Sequence, residues 1–439
     1  MKKSTGSRSL NLLALASKIG RSEVAQSLKS RFSSEPVDSI GARIEQAQWI
    51  ADHLSELKGA AMKAGQLLSI DAGDYFPPEA MAILSKLQAS AEPVDFSVVQ
   101  QVLIEEIGVE KLSQFEDLDS EAAAAASIGQ VHRASLNGRQ VAIKVQYPGI
   151  GESIESDLKI LKTLAGSFAS MTGRAMDLSP LFSELKRVLE QEADYRIEKQ
   201  LMQEYRAALR DQPRFRVPEA VESHSSRRVL TMTWERGVTI DSWLRSRPSL
   251  ERLERIARAM LDLFCLEFYS WGLVQTDPNF ANFLIGTDEK NNGLLVLLDF
   301  GSTLRYDDEL RRRYKQVLRS VEAAVSTGNR DLIVQEGVAF GLLDPRESQE
   351  AKDGFADLLL FSAEPFHPDR QPFRFEDDDY AKRTRDTGAR FARQLKYSPP
   401  PHSLLFLHRK LGGIFNFVKK LDVTIDLRPY WEPMLRVGN

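Results

Sequence analysis

The chain has 439 residues, 42% hydrophobic and 27% charged, which allows two or three domains with sizeable cores and excludes a disordered or collagen-like chain. Its net charge of −4 gives no global basic field for nucleic acid, and its one cysteine, Cys265, excludes a disulfide framework or a multi-cysteine metal site. Six scattered histidines lack metal-ligating spacing, and no apolar run approaches the roughly 18 residues a membrane-spanning helix needs.

Residues 1–32 carry seven Lys or Arg against one acid, Glu23, a balance of +6 that leaves −10 for the rest. Residues 10–16 resemble a short signal-peptide core, but Asn11 interrupts it and basic residues follow directly. The remaining readings are a basic amphipathic segment on an anionic membrane and a solvated tail. Residues 46–115 are predicted helical, with Leu54, Leu57, Ala61, Gly65 and Leu68 on one face and Lys63 and Gln66 on another. Residues 117–147 change to an alanine run, an Asn137-Gly138 hairpin signal and the strand-like Val141-Ala142-Ile143. Helix is predicted again over 158–205, and two strand-like pieces over 214–234. From residue 250 onward helices dominate, broken by the apolar run 294–298, which suits a buried strand. The division expected is a basic segment (1–45), a helical extension (46–115), a small β-containing lobe (116–236) and a larger helical lobe (237–439).

The chemistry-bearing residues form one ordered set. A kinase phosphate loop, G-x-G-x-x-G-x-V, precedes a strand bearing V-A-I-K. On this chain the glycine positions fall on Ala124, Ala126 and Gly129, with Ala125 and Ser127 between them. Val131 supplies the valine and Lys144 closes Val141-Ala142-Ile143-Lys144. Small residues let backbone amides approach phosphates closely. Asp277, followed five residues later by Asn282, matches a catalytic loop in which the Asp faces the nucleophile and the Asn holds Mg²⁺. Asp299-Phe300-Gly301 follows the apolar run, as a metal-binding DFG requires. The carboxylate that orients Lys144 is left open among Glu190, Glu192, Asp194 and Glu198. Four acids for one lysine point to a second cation, and Lys63 is expected to contact Glu192 or Asp194. Trp234-Glu235 sits where a hinge strand would offer backbone groups to adenine.

These residues carry a family resemblance. The chain resembles the UbiB family of atypical kinases, within it the ubiquinone-biosynthesis kinase subgroup of mitochondria and bacteria. The match runs over roughly residues 45–425 and includes Lys63-Ala64-Gly65-Gln66, AAASIGQVHRA from Ala124 and VAIKVQYPG from Val141. It continues through Glu192-Ala193-Asp194, QTDPNFAN from Gln275, Asp299-Phe300-Gly301 and His408-Arg409-Lys410-Leu411-Gly412-Gly413. The resemblance implies an α+β, two-lobed kinase-like fold with an N-terminal helical extension. It implies that Lys63 and Gln66 meet Glu192 and Asp194 over the place where a kinase would bind peptide, and that Glu198, rather than Glu192, partners Lys144. It also implies ATP (or ADP) and Mg²⁺ as cofactors, and activity supporting quinone biosynthesis at or near a membrane.

The expected function is an ATP- and Mg²⁺-dependent atypical kinase or ATPase in ubiquinone biosynthesis. Its expected partners are nucleotide, a quinone-precursor lipid and quinone-biosynthesis proteins, with peripheral membrane contact and no nucleic acid. The expected location is cytoplasmic, peripheral to the inner membrane. A conventional protein kinase and a non-catalytic nucleotide-binding scaffold are the alternatives. No A-P-E follows the DFG, which counts against the first, and the intact Lys144, Asp277, Asn282 and Asp299 count against the second.

Overall fold

The computed structural model describes residues 94–435, apart from 127, 172–178, 287–292, 376–377, 397 and 399–401. The described residues divide into two compact units, one holding residues 149–186 and the other 94–148 and 187–435.

In the second unit, α1 (Phe96–Ile107) buries Val99, Val102 and Leu103, an i, i+3, i+4 set that packs on Val141, Ile143, Val145 and Val229. Each such burial is worth about 2 kcal/mol. Gly108, at φ +85°, ends the helix before the single turn α2 (Val109–Leu112). The strands β1 (Phe115–Glu116), β2 (Ala124–Ala126), β3 (Gly129–Leu136) and β4 (Arg139–Gln146) follow. Asn137 and Gly138 both take positive φ, 52° and 73°, and make the two-residue connection whose twist suits the β3–β4 hairpin.

The first unit contributes α3 (Ile150–Met171), whose Ile150, Ile154, Leu158 and Leu161 are buried on one face. α4 (Ser179–Glu192) crosses from the first unit into the second, and α5 (Tyr195–Ala208) follows it. The helix predicted over 158–205 is thus broken before Tyr195, where Asp194 turns to cap α5 by accepting the Arg196 amide at 3.0 Å.

Then come β5 (Phe215–Arg216), β6 (Val229–Thr233), β7 (Gly237–Thr239), α6 (Ile240–Arg245) and α7 (Leu250–Phe264). α7 runs into a π-helical turn at Cys265–Trp271, which leads to β8 (Leu273–Gln275), β9 (Phe283–Gly286), β10 (Leu294–Leu297) and β11 (Thr303–Arg305). The remaining elements are α8 (Asp308–Thr327), α9 (Asp331–Phe340), α10 (Gln349–Ala363), β12 (Phe373–Arg374), α11 (Asp378–Gln394), α12 (His402–Lys420), β13 (Thr424–Ile425) and α13 (Arg428–Leu435).

The first sheet is antiparallel in the order β1-β3-β4-β6, with β2 on the free end of β3. The second has the order β5-β10-β9-β7, and its centre, β10, is buried along its whole length, as the apolar run predicts. β5 pairs in parallel with β10, so Phe215–Arg216 belongs to this sheet and not to the small-lobe sheet in which its sequence position places it. β8 and β11 pair antiparallel beneath the two loops that matter most, 276–282 and 298–302. A separate helical core forms where Val321, Ile333, Leu343 and Phe355 from α8 to α10 meet.

Candidate active site

Lys144 lies on β4 in register with Val131 on β3 and Leu230 on β6, and from Val141 onward β4 is buried. Its ammonium donates to Glu198 Oε1 at 2.7 Å and Oε2 at 2.9 Å, and to Asp299 Oδ2 at 2.9 Å. Glu198 stands on the first turn of α5, and Asp299 just beyond the end of β10. The Gly301 amide donates to Asp299 Oδ1 at 2.9 Å, which fixes the plane of that carboxylate. Burial alone would lower the Lys144 ammonium, but Asp299 and Glu198 outweigh it and hold it well above the usual lysine range. Burial pushes the Glu198 carboxyl up, Lys144 opposes it, and Asp299 adds to the rise, because two carboxylates face one ammonium. The Tyr195 ring lies under Lys144 Nζ, 5.2 Å from its centroid, while the buried Tyr195 hydroxyl has no hydrogen-bond partner among the described residues.

The acids of the helical region separate by task. Only Glu198 among them meets Lys144 in the contacts above. Glu192 accepts the Ser302 hydroxyl, and Gln191 beside it donates to the Gly301 and Thr303 carbonyls at 2.9 and 2.8 Å. Asp194 caps α5 and pairs with Arg196 at 2.6 Å, and Glu190 is exposed. Lys63 and Gln66, and with them the expected contact to Glu192 or Asp194, lie outside the described residues, as does Ser127.

The alanine run is a strand. Ala124 pairs with Val131, Ala125 with Gln130 and Ala126 with Gly129, and none of the three needs positive φ. Gly129 is required for a different reason. A Cβ there would strike the Val145 carbonyl and come within 2.8 Å of the Tyr195 hydroxyl, so the hairpin lies directly on β4.

The hinge segment is less open than its sequence suggests. The Trp234 amide donates to the Gln140 carbonyl at 3.0 Å, so it is tied to β4 rather than presented to a base. The Trp234 ring carries the Arg133 guanidinium at 5.2 Å, and Glu235 accepts the Thr233 hydroxyl at 2.8 Å.

Asp277 leaves β8 on a braced loop. The Thr276 amide and hydroxyl both reach the Ser302 carbonyl, at 3.0 and 2.7 Å. The Asp277 carbonyl accepts from Gln275 Nε2 at 2.9 Å and from Asn282 Nδ2 at 3.3 Å. Asp277 Oδ1 meets Arg409 Nη2 at 3.0 Å in a buried ion pair. Lys410, also buried, reaches Glu267 Oε2 at 3.1 Å and Gln275 Oε1 at 3.2 Å, and Gly413 packs against Pro278 so closely that a Cβ would overlap it. The Tyr205 hydroxyl lies 3.0 Å from Glu267 Oε1 and 3.1 Å from the Leu273 carbonyl, and its ring lies 5.0 Å from that of Phe300. In the sequence Arg409, Lys410 and Gly413 stand out only as part of a motif. Their i, i+1, i+4 spacing puts them on one stripe of a helix, and that stripe meets residues 275–278.

A strand lysine clasped by a helix glutamate, with an Asp-and-Asn loop and a second Asp at the end of a buried strand, defines a kinase-like enzyme. Residues 86–333 match the ABC1 atypical kinase-like domain, and the chain belongs to that family. It is 32% identical over 378 residues to the mitochondrial atypical kinase COQ8 of Saccharomyces cerevisiae, covering 86% of this chain and 73% of that one. With the mitochondrial atypical kinase COQ8B of Rattus norvegicus it shares 31% identity over 388 residues, 88% of this chain and 71% of the relative. With mitochondrial coq-8 of Caenorhabditis elegans the identity is 31% over 382 residues, 87% of this chain but 49% of the relative. Among solved structures, the complex of Rv3197 with erythromycin from Mycobacterium tuberculosis is similar, with a TM-score of 0.58, 25% identity, and coverage of 90% of this chain and 97% of that one. The conventional protein kinase and the scaffold do not fit these relationships.

Proposed function

We propose that the chain binds ATP with Mg²⁺ and hydrolyses it or transfers its γ-phosphoryl group, in support of ubiquinone biosynthesis. The observation that carries this reading is the three-point contact of Lys144 with Glu198 and Asp299, at 2.7 to 2.9 Å. It joins β4, α5 and the end of β10 at one charge, which is the arrangement phosphate positioning needs. In this reading Lys144 orients the phosphates, Glu198 holds Lys144, and the β2–β3 hairpin from Ala124 to Gly129 covers the phosphates. Asp277 accepts the nucleophile's proton.

Asn282 and Asp299 would hold the metal. Both offer oxygen, the donor Mg²⁺ prefers, and Asn282 is held beside Asp277 by its bond to the Asp277 carbonyl. When bound, Mg²⁺ neutralises charge on the phosphates. A quinone-precursor lipid and quinone-biosynthesis proteins are the proposed partners, supported by the motif resemblance. No helix among the described residues is long and apolar enough to cross a membrane, and the basic residues 1–32 are the proposed peripheral contact.

Asp299→Asn tests the site. Nucleotide with Mg²⁺ is expected to raise the melting temperature of the wild type and to lose its Mg²⁺-dependent part in the variant. An unchanged Mg²⁺-dependent shift overturns the assignment.

A further inference from the structure

One motif remains that the proposed chemistry does not use. Arg409, Lys410 and Gly413 lie on one face of α12 and touch three residues at the end of β8 and in the loop that carries Asp277. Lys410 meets Gln275, Arg409 meets Asp277, and Gly413 meets Pro278. The Arg409 side chain is fully buried and comes from 132 residues along the chain.

We propose that Arg409 is a positioning residue for phosphoryl transfer, holding the Asp277 carboxylate in the orientation that receives the nucleophile's proton. This rests on the reading of Asp277 as the proton acceptor given above. A guanidinium presents its donors in a rigid planar fork, so a buried one fixes the direction of the carboxylate it holds. Oδ1 is held by Arg409 while the Asp277 backbone carbonyl is held by Gln275 and Asn282, so the side chain turns only by giving up the bond to Arg409. Gly413 against Pro278 sets the height of the loop on α12, and Lys410 on Gln275 sets its other end. The helix therefore acts as a template for the base, in a region far from the nucleotide-facing strands in sequence.

A purely structural Arg409 would neutralise a buried charge and do nothing else. The two roles separate in a double-mutant cycle on the full chain, with ATP turnover, KM for ATP and melting temperature measured for wild type, D277N, R409M, R409K and the two Arg409 variants combined with D277N. For R409M, kcat is expected to fall roughly tenfold to a hundredfold, no more than the roughly 10²–10⁴ that a positioned base supplies, while KM for ATP stays within about twofold. R409K is expected to recover part of kcat. On the D277N background neither Arg409 variant is expected to lower kcat further. A loss that multiplies onto that of D277N, or wild-type kcat in both single variants, overturns the proposal. If R409M does not fold, R409K carries the cycle, with a loss of a few fold that vanishes on D277N as the supporting result and one that persists as the overturning result. Wild-type kcat in D277N itself refutes the reading of Asp277 as proton acceptor, and the positioning role with it, whatever the Arg409 variants do.

Discussion

Two residues show how close approach, rather than conformational freedom, selects a side chain. Gly129 sits at the start of β3 with no positive φ, yet a Cβ there would run into the Val145 carbonyl. Backbone does not step aside as a flexible side chain does, so Gly129→Ala is expected to cost about 1–3 kcal/mol, read from urea denaturation. Ala125→Gly, on the exposed partner strand, is expected to cost less than half of that, and equal losses would show that the hairpin is looser than its contacts indicate. Cys265 offers a test of a different kind. Burial first, and Asp262 second, push its thiol up to about 12. A thiolate reacts and a thiol does not, so at pH 8 an aromatic disulfide reagent should label it roughly 10²–10³ times more slowly than free cysteine. The rate should climb steadily up to about pH 12 and become fast at pH 8 in denaturant.

Among the elements, α12 is held by charge as much as by apolar contact. Lys410 and Glu267 are both buried and lie 3.1 Å apart, and Glu267 also takes the Tyr205 hydroxyl. Lys410→Met leaves a buried carboxylate without its cation, and is expected to destabilise by about 3–5 kcal/mol. Adding Glu267→Leu removes the stranded charge and should recover much of the loss, as measured by urea denaturation of both variants. A double variant as unstable as the single one would place the cost in packing. Such long-range partnerships are what the sequence conceals. The Asn137-Gly138 hairpin, the buried strand β10 and the short motifs around Lys144, Asp277, Asn282 and Asp299 are legible, because each depends on neighbours within a few residues. The strands β7, β8, β11, β12 and β13, two or three residues each, are not, because their only reason for being strands is a partner elsewhere. The π-helical turn at Cys265–Trp271 reads as plain helix, since its apolar pattern continues that of α7. Periodicity leaves four acids open as the partner of Lys144, because it does not mark the break at Asp194; the motif resemblance points to Glu198, the residue Lys144 meets. Arg409 on Asp277 required a contact across 132 residues.

At the scale of the whole second unit, one hydroxyl ties together parts that a kinase-like fold would otherwise let move separately. Tyr205 belongs to α5, the helix that carries Glu198, yet its hydroxyl is held by Glu267 of the π-helical turn and by the Leu273 carbonyl that opens β8. Its ring also meets Phe300 and Trp271, with centroids 5.0 and 5.9 Å away. The helix is therefore fastened at both ends, by Lys144 near its start and by Tyr205 near its finish. In amide exchange, α5 and β8 should open together, with matched protection factors, instead of α5 fraying first. Tyr205→Phe keeps the ring and removes the hydroxyl, at a cost of about 1 kcal/mol, or roughly a fivefold faster exchange confined to α5. If α5 already exchanges well ahead of β8 in the wild type, the helix swings independently and the fastening is not cooperative.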